Sequence, residues 1–246
     1  MIRLKKSFNI LIILLFMNVC VIKPTQLNAQ ELTAQRVFST PQEALKALKI
    51  ATQAKDKTAL SEIFGPKLQE LLTGDPLQDK KNAQKFADVL AKGYNLVYEG
   101  NDKITIEIGP YHWPMPIPLV KAQGAWYFDT AAGQEEIINR HIGKDEIYAI
   151  GACHAFVTSH QDWSVPQPFH GYYFKILPRQ SMSSKAFTLV AYPVYWDHSG
   201  IMTFMVNQDN IVYQRNLGPR TVQIASRMKR YNPDHQWSEV IDENDK

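Results

Sequence analysis

Cysteine is scarce in this chain of 246 residues, which contains only Cys20 and Cys153. If the N-terminal segment that holds Cys20 is removed, Cys153 is left alone and no disulfide can form within the chain. Domains of this size are ordinarily stable without disulfides, because they are long enough to bury a substantial core. The sequence therefore predicts a fold that is stabilised by packing.

An excess of one charge is also missing once the N-terminus is set aside. The 27 basic residues of the whole chain include Arg3, Lys5, Lys6 and Lys23, and residues 1–29 contain no acidic residue. The remaining 217 residues therefore hold 23 basic and 24 acidic side chains. A balance this close to zero indicates neither a nucleic-acid footprint nor a role at an anionic membrane surface.

The chain has one long apolar run, residues 10–22, which follows basic residues and precedes the small-residue exit 27–29. This order is typical of a secretory signal peptide. Thirteen residues are too few for a comfortable bilayer span, which takes about 20. We predict cleavage after Ala29, a periplasmic or secreted product and no membrane span after processing. An uncleaved anchor is the alternative; a lipoprotein site at Cys20 is rejected, because Val19 stands where such sites carry a small residue.

Hydrophobic periodicity predicts helices before strands in the first half of the chain. Three helices are expected, from the start signal Ser39-Thr40-Pro41 to about residue 55, over 57–64 and over 79–91. Strands are expected over 94–99, 103–108 and 125–129. Residues 113–121 carry Pro114, Pro116 and Pro118, and alternate prolines remove donors on one side only, so at best an edge strand is predicted. This order indicates an α+β unit.

The second half repeats that order. A helix over 131–141, capped by Asp129 or Thr130, is expected to end at Gly143 and to be followed by a longer helix over 144–160. Strands over 171–177, 186–192, 201–206 and 211–215 and a helix over 220–230 come next. The predicted division is a signal peptide (1–29), a cone-like α+β unit (30–130), a long helix packed on a second antiparallel sheet (131–232) and a flexible tail (233–246).

Five runs of sequence, spread over nearly the whole mature chain, carry a resemblance. They are Trp113-Pro-Met-Pro-Ile-Pro-Leu-Val-Lys121, Trp126-Tyr-Phe-Asp-Thr-Ala-Ala-Gly133, Ile138-Asn-Arg-His-Ile-Gly143, Phe169-His-Gly-Tyr-Tyr-Phe174 and Phe204-Met-Val-Asn-Gln-Asp-Asn-Ile-Val-Tyr-Gln214. Through them the chain resembles an uncharacterised group of exported bacterial proteins, the domain-of-unknown-function family numbered 2950. It departs from that family in a shorter segment before Phe169 and in Asn210, where members often carry glycine. The resemblance implies export and a shared fold, and it implies no activity.

Each half has a looser likeness of its own. Residues 39–130 resemble the cone-shaped folds of the NTF-two-like superfamily, which often hold a small-molecule pocket. Residues 144–217 resemble a pilin-type globular head, in which a long helix precedes an antiparallel sheet. The helix begins internally at Lys144-Asp-Glu, so no pilus is expected to polymerise through it.

Motifs for catalysis or metal binding are missing. Cys153 lies among apolar residues of a helix and is expected to be a buried core residue. His112, His170 and His198 are scattered over loops without zinc-ligand spacing, so no catalytic residue, metal or cofactor is assigned. The acidic pair Asp145-Glu146 is interpreted as complementing the dipole at a helix start.

Aromatic residues form the most informative set. On a sheet that curls, they would line either a core or a pocket. We expect an exported, non-enzymatic binding module that meets an envelope protein or a small ligand. The alternative is a small-ligand binder or hydrolase-type enzyme with a pocket in the N-terminal cone. The candidate binding residues are Tyr98, Tyr111, Trp113, Trp126, His112 and His170.

Overall fold

The computed structural model describes residues 35–72, 75–159, 168–177 and 188–241. The predicted signal peptide and its cleavage site lie outside these residues. In the described part of the chain, no helix is both long enough and apolar enough to cross a membrane.

The chain begins with helices whose ends are set by local sequence signals. Thr40 caps the first helix by accepting a hydrogen bond from the Glu43 amide at 3.2 Å, while the Glu43 carboxylate accepts from the Ser39 amide, as in a capping box. Asp75 caps the third helix by accepting a hydrogen bond from the Leu77 amide at 2.9 Å. This helix therefore begins three residues earlier than predicted. The elements are α1 (Pro41–Ala54), α2 (Lys57–Phe64), a 3₁₀ turn (Pro66–Leu71) and α3 (Pro76–Ala91).

A five-stranded antiparallel sheet follows, here called the first sheet. Its strands are β1 (Tyr94–Glu99), β2 (Lys103–Ile108), β3 (Trp113–Pro114), β4 (Leu119–Ala122) and β5 (Ala125–Phe128). They lie in the order β1, β2, β4, β5, and β3 also pairs with β2. Alternate residues of β2 are buried, so one face packs on the helices. Phe38 exchanges two backbone hydrogen bonds of 2.8 Å with Trp126 and so closes the outer side of β5.

The proline-rich segment is only partly the edge strand that we predicted. Met115 donates its amide to the Ile106 carbonyl, whereas the Pro114 carbonyl faces away from β2 and accepts from the Arg140 side chain. The missing donor of Pro114 is thus on the side without a strand partner, and β3 pairs with β2 alone. After the last proline the chain regains its donors, and β4 pairs with both β2 and β5. The prediction of an edge is therefore wrong for β4.

A single helix, α4 (Thr130–Ser159), connects the two halves of the chain. The Asp129 carboxylate accepts from the Ala132 amide at 3.0 Å, which confirms a cap at this point. The predicted break at Gly143 is wrong, because the helix continues through it. A glycine inside a helix costs only about 1 kcal/mol relative to alanine, and hydrogen bonds of the turns on either side outweigh that cost.

The second sheet is also antiparallel and has five strands, in the order β10, β9, β8, β7, β6. They are β6 (Tyr172–Leu177), β7 (Thr188–Pro193), β8 (Met202–Asn207), β9 (Val212–Asn216) and β10 (Ser238–Glu239), with α5 (Thr221–Arg227) between β9 and β10. The last strand was not predicted. Because β10 pairs with β9 and Trp237 is buried, residues 233–241 are not the flexible tail that we expected; residues 242–246 lie outside the described chain.

Buried side chains form separate clusters on the two sheets. The first is made by α1, α2, α3 and the first sheet. The C-terminal part of α4 packs on one face of the second sheet, and α5 and Trp237 pack on its other face. This arrangement confirms the α+β class, with N-terminal helices on one antiparallel sheet and a long helix on a second. The division into two independent folding units remains a prediction.

Candidate functional site

Trp113 lies in β3 beside the first third of α4. Its side chain is 44% exposed, and the Arg140 guanidinium carbon lies 5.3 Å from the centre of its rings. Arg140 is itself fixed, since its Nε donates to Glu136 at 2.7 Å and its Nη1 donates to the Pro114 carbonyl at 2.8 Å. The cation therefore covers part of the indole in one orientation and leaves the rest open to solvent.

The loop before Trp113 is fixed by His112. Its backbone has φ of 51°, and its Nδ1 lies 2.7 Å from the side-chain nitrogen of Asn95 and 3.0 Å from a Glu107 carboxylate oxygen, so it accepts from the first or donates to the second, according to the tautomer. These contacts attach the loop to β1 and β2. The neighbouring Tyr111 projects outward and is 89% exposed. Tyr111, His112, Trp113 and Arg140 are called the aromatic loop surface below.

The other two aromatic candidates of the first sheet lie elsewhere. Tyr98 is at the opposite end of β1 from the level of Trp113, and it is exposed. Trp126 is buried in the first core, with Phe128. Two shallow surface depressions take their walls from Gln35 and from residues within 58–69 and 127–131, and neither includes a candidate residue. The structure thus brings Tyr111, His112 and Trp113 together and leaves Tyr98 and Trp126 apart from them.

His170 belongs to the second half and is not part of the aromatic loop surface. It precedes β6, with φ of 45°, and its ring stacks on Tyr148 of α4 with 3.9 Å between ring centres. Phe169 contacts the same imidazole edge to face at 4.4 Å. This stack attaches the loop before β6 to α4.

Two acidic residues of α4 do not have the position in a helix that the sequence predicted. Because α4 is continuous, Asp145 and Glu146 lie in mid-helix, and the interpretation as partners of a helix dipole at its start is wrong. The buried Asp145 carboxylate lies 3.2 Å from Nε2 of His141. A helical pattern that ignored Gly143 would have placed this pair inside the helix, and no other signal in the sequence distinguishes it.

Glu146 holds the start of β8. One of its carboxylate oxygens accepts from the Ile201 amide at 2.8 Å and from the Met202 amide at 2.9 Å. Burial nevertheless raises the pKa of this carboxyl, and the hydrogen bonds from Met202 and Ile201 oppose that shift only in part. Tyr172 donates its hydroxyl to the Met202 carbonyl at 2.9 Å, so the same turn is fixed from two sides.

The Cys153 thiol is unsuited to nucleophilic chemistry. Cys153 is fully buried in the second core, which confirms its predicted position, and burial raises the pKa of the thiol to about 12. Within the described ranges, no three His, Cys, Asp or Glu side chains are grouped as metal ligands.

Comparison with known proteins identifies a family. The model of the family described as "Protein of unknown function (DUF2950)" matches residues 35–166 and 158–240. No curated protein and no solved structure matches the chain. Because the match covers both sheets and the helix that joins them, the chain belongs to the DUF2950 family.

Proposed function

We propose that this protein is an exported, non-enzymatic binding module that recognises a protein partner of the cell envelope through the aromatic loop surface. The observation that carries the proposal is the exposure of Tyr111 and Trp113, 89% and 44%, on a loop that side-chain contacts hold in place. Export is part of the proposal and rests on the N-terminal sequence.

The composition of the surface supports this function. Residues that dominate the free energy of protein–protein binding are enriched in Trp, Tyr and Arg, and all three types meet here. His112 and Arg140 hold the loop before any partner arrives. Little conformational entropy is then lost on association, so more of the contact free energy contributes to affinity.

The alternative, a ligand pocket or hydrolase-type site in the N-terminal unit, has weaker support. Trp126 and Phe128 fill the first core, and the two depressions contain none of the aromatic candidates. A ligand site of the usual kind needs a concave apolar wall with a few polar groups aimed into it.

The experiment places a photo-crosslinking amino acid at position 111 in the producing bacterium, with position 195 as the control. Tyr195 is 70% exposed and lies in the other half of the molecule. We expect one protein adduct from position 111 and none from position 195, and the purified adduct partner should bind Trp113→Ala at least about tenfold more weakly than the unchanged protein. Equal adducts from both positions, or equal affinity for the variant, contradict the proposal.

Two further measurements address export and the enzyme alternative. The intact mass of the protein from the envelope fraction should correspond to a chain that begins at Gln30; retention of residues 1–29 contradicts cleavage. Screening against hydrolase and transferase substrates should find no turnover. An activity that is lost on changing His112, His170 or His198 contradicts the non-enzymatic proposal.

A further inference from the structure

The outer side of β1 is an open sheet edge. Among the described residues, no strand pairs with it, whereas the opposite edge of the same sheet is closed by Phe38 on β5. Three of its six side chains are large, apolar or aromatic and exposed: Tyr94 40%, Val97 41% and Tyr98 57%. Proteins usually protect such an edge with lysine, proline or a bulge. β1 has none of these, because it reads Tyr-Asn-Leu-Val-Tyr-Glu and pairs with β2 residue for residue.

The hydrogen-bond pattern shows which backbone groups of β1 point outward. The Gly109 amide donates to the Gly93 carbonyl at 2.9 Å, so this pair is hydrogen-bonded between the strands. In an antiparallel ladder hydrogen-bonded and non-hydrogen-bonded pairs alternate. Residues 95, 97 and 99 therefore bond to β2, and the amides and carbonyls of Tyr94, Leu96 and Tyr98 face the open side.

These three residues are spaced so that β1 is complementary to itself. We propose that a second copy of this chain pairs with it here, β1 against β1 in antiparallel orientation, on a two-fold axis at Leu96. Tyr94 then lies opposite the second copy's Tyr98, Leu96 opposite its own equivalent, and Tyr98 opposite the second copy's Tyr94. Every opposed residue offers an outward amide and carbonyl, so three hydrogen-bonded pairs form.

Side chains and charges agree with this register. Tyr94, Leu96 and Tyr98 share one face of β1, so the pairing aligns aromatic with aromatic at both ends of the row. Shifting the register by one residue would oppose outward with inward backbone groups and lose the ladder. The one charged residue of β1, Glu99, is paired with Lys103 at 2.8 Å, so two copies meet without like-charge repulsion. The row Tyr94, Leu96, Tyr98 is the same when read in either direction, so an antiparallel second copy opposes Tyr to Tyr and Leu to Leu. We therefore favour a second copy over a foreign strand.

Charge variants test the register in solution. The unchanged mature protein should sediment as a dimer at micromolar concentration. The pair Tyr94→Glu with Tyr98→Glu places like charges opposite each other and should weaken dimerisation about tenfold or more, whereas Tyr94→Glu with Tyr98→Lys places opposite charges there and should retain the dimer. Tyr195→Ala, which changes an exposed tyrosine in the other half of the chain, should leave the dimer unaffected. The proposal is overturned if the unchanged protein is a monomer, or if neither pair of charge substitutions changes the strength of dimerisation.

A disulfide test does not depend on those substitutions. Cysteines at position 96 would face each other across the axis at about 5.5 Å between Cα atoms, within the reach of a disulfide. Leu96→Cys should therefore form a covalent dimer on mild oxidation. Val97→Cys should not, because its equivalent lies more than about 7 Å away. The native Cys153 is buried and contributes no background. Equal cross-linking of the two variants, or none at position 96, overturns the proposal.

Discussion

Glu146 has a shifted pKa, and its ionisation therefore couples stability to pH in a predictable direction. Burial raises its pKa in the folded protein above the ordinary value of 4.5, which we take for the unfolded chain. Between those two values the folded protein retains a proton that the unfolded chain has released. The stability that this residue contributes is therefore fully present below pH 4.5 and is lost as the pH rises through the folded-state pKa.

Replacing Glu146 by glutamine removes this dependence. The amide oxygen of Glu146→Gln can still accept from the Ile201 and Met202 amides, so the turn before β8 is retained. We expect the free energy of unfolding of the variant, relative to the unchanged protein, to increase from pH 4.5 towards neutral pH. Urea unfolding at several pH values measures that difference. A difference that is constant with pH, or that decreases, contradicts the raised pKa.

Cys153 should behave as an inert core residue. At neutral pH almost no thiolate is present when the pKa is about 12, and the side chain is inaccessible. Labelling of the native mature protein by a thiol reagent should therefore be slow and should speed up on unfolding in urea. Cys153→Ala should lower the free energy of unfolding by about 1–2 kcal/mol through a small cavity. Rapid labelling without denaturant would exclude burial.

Among the elements, α4 offers a matched pair of glycines. A Cβ on Gly133 would lie 2.4 Å from a carbon of Ile117, whereas a Cβ on Gly143 would have no atom within 4 Å. Gly143→Ala should therefore stabilise the protein by about 0.5–1 kcal/mol through helix propensity alone. Gly133→Ala has the same propensity gain, but the clash should make it destabilising. Thermal midpoints of the two variants should shift in opposite directions; shifts in the same direction contradict the packing of α4 on Ile117.

The elements also show what the sequence determines locally. The caps at Thr40 and Asp129 were predicted because the donor and acceptor lie within three residues of each other. The continuity of α4 was not, because Gly143 with the acidic pair that follows resembles a stop and a new start. β10 was missed because two residues are too few to show an alternation of apolar and polar side chains, and its position depends on the burial of Trp237.

The candidate surface was predictable to a similar extent. Adjacency in sequence keeps Tyr111, His112 and Trp113 together, so their grouping needed no tertiary information. The contact of Trp113 with Arg140 joins residues 27 positions apart and depends on how α4 packs. Trp126 was grouped with them as an aromatic residue of the same curled sheet, lining either its core or a pocket. Pairing with Phe38 instead places it in the core.

At the scale of the whole molecule, two sheets with separate cores share one helix. Among the described residues, the first core contains none of the second sheet, and the cores on the second sheet contain none of the first. The start of α4 is attached to the first unit by Thr130, which donates to the Phe64 carbonyl at 2.7 Å, and its end packs on β7 and β8. Destabilising one core should therefore open its own sheet first.

Two fully buried leucines, Leu45 in α1 and Leu189 in β7, allow that expectation to be tested on the intact protein. Replacing a buried leucine by alanine costs about 2–5 kcal/mol, whichever core it belongs to. In hydrogen exchange followed by mass spectrometry, Leu45→Ala should speed exchange in β2 and β4 and leave β7 and β8 protected, and Leu189→Ala should do the reverse. If each substitution instead speeds exchange in both sheets equally, α4 couples them into one cooperative unit, and the division into two folding units is wrong.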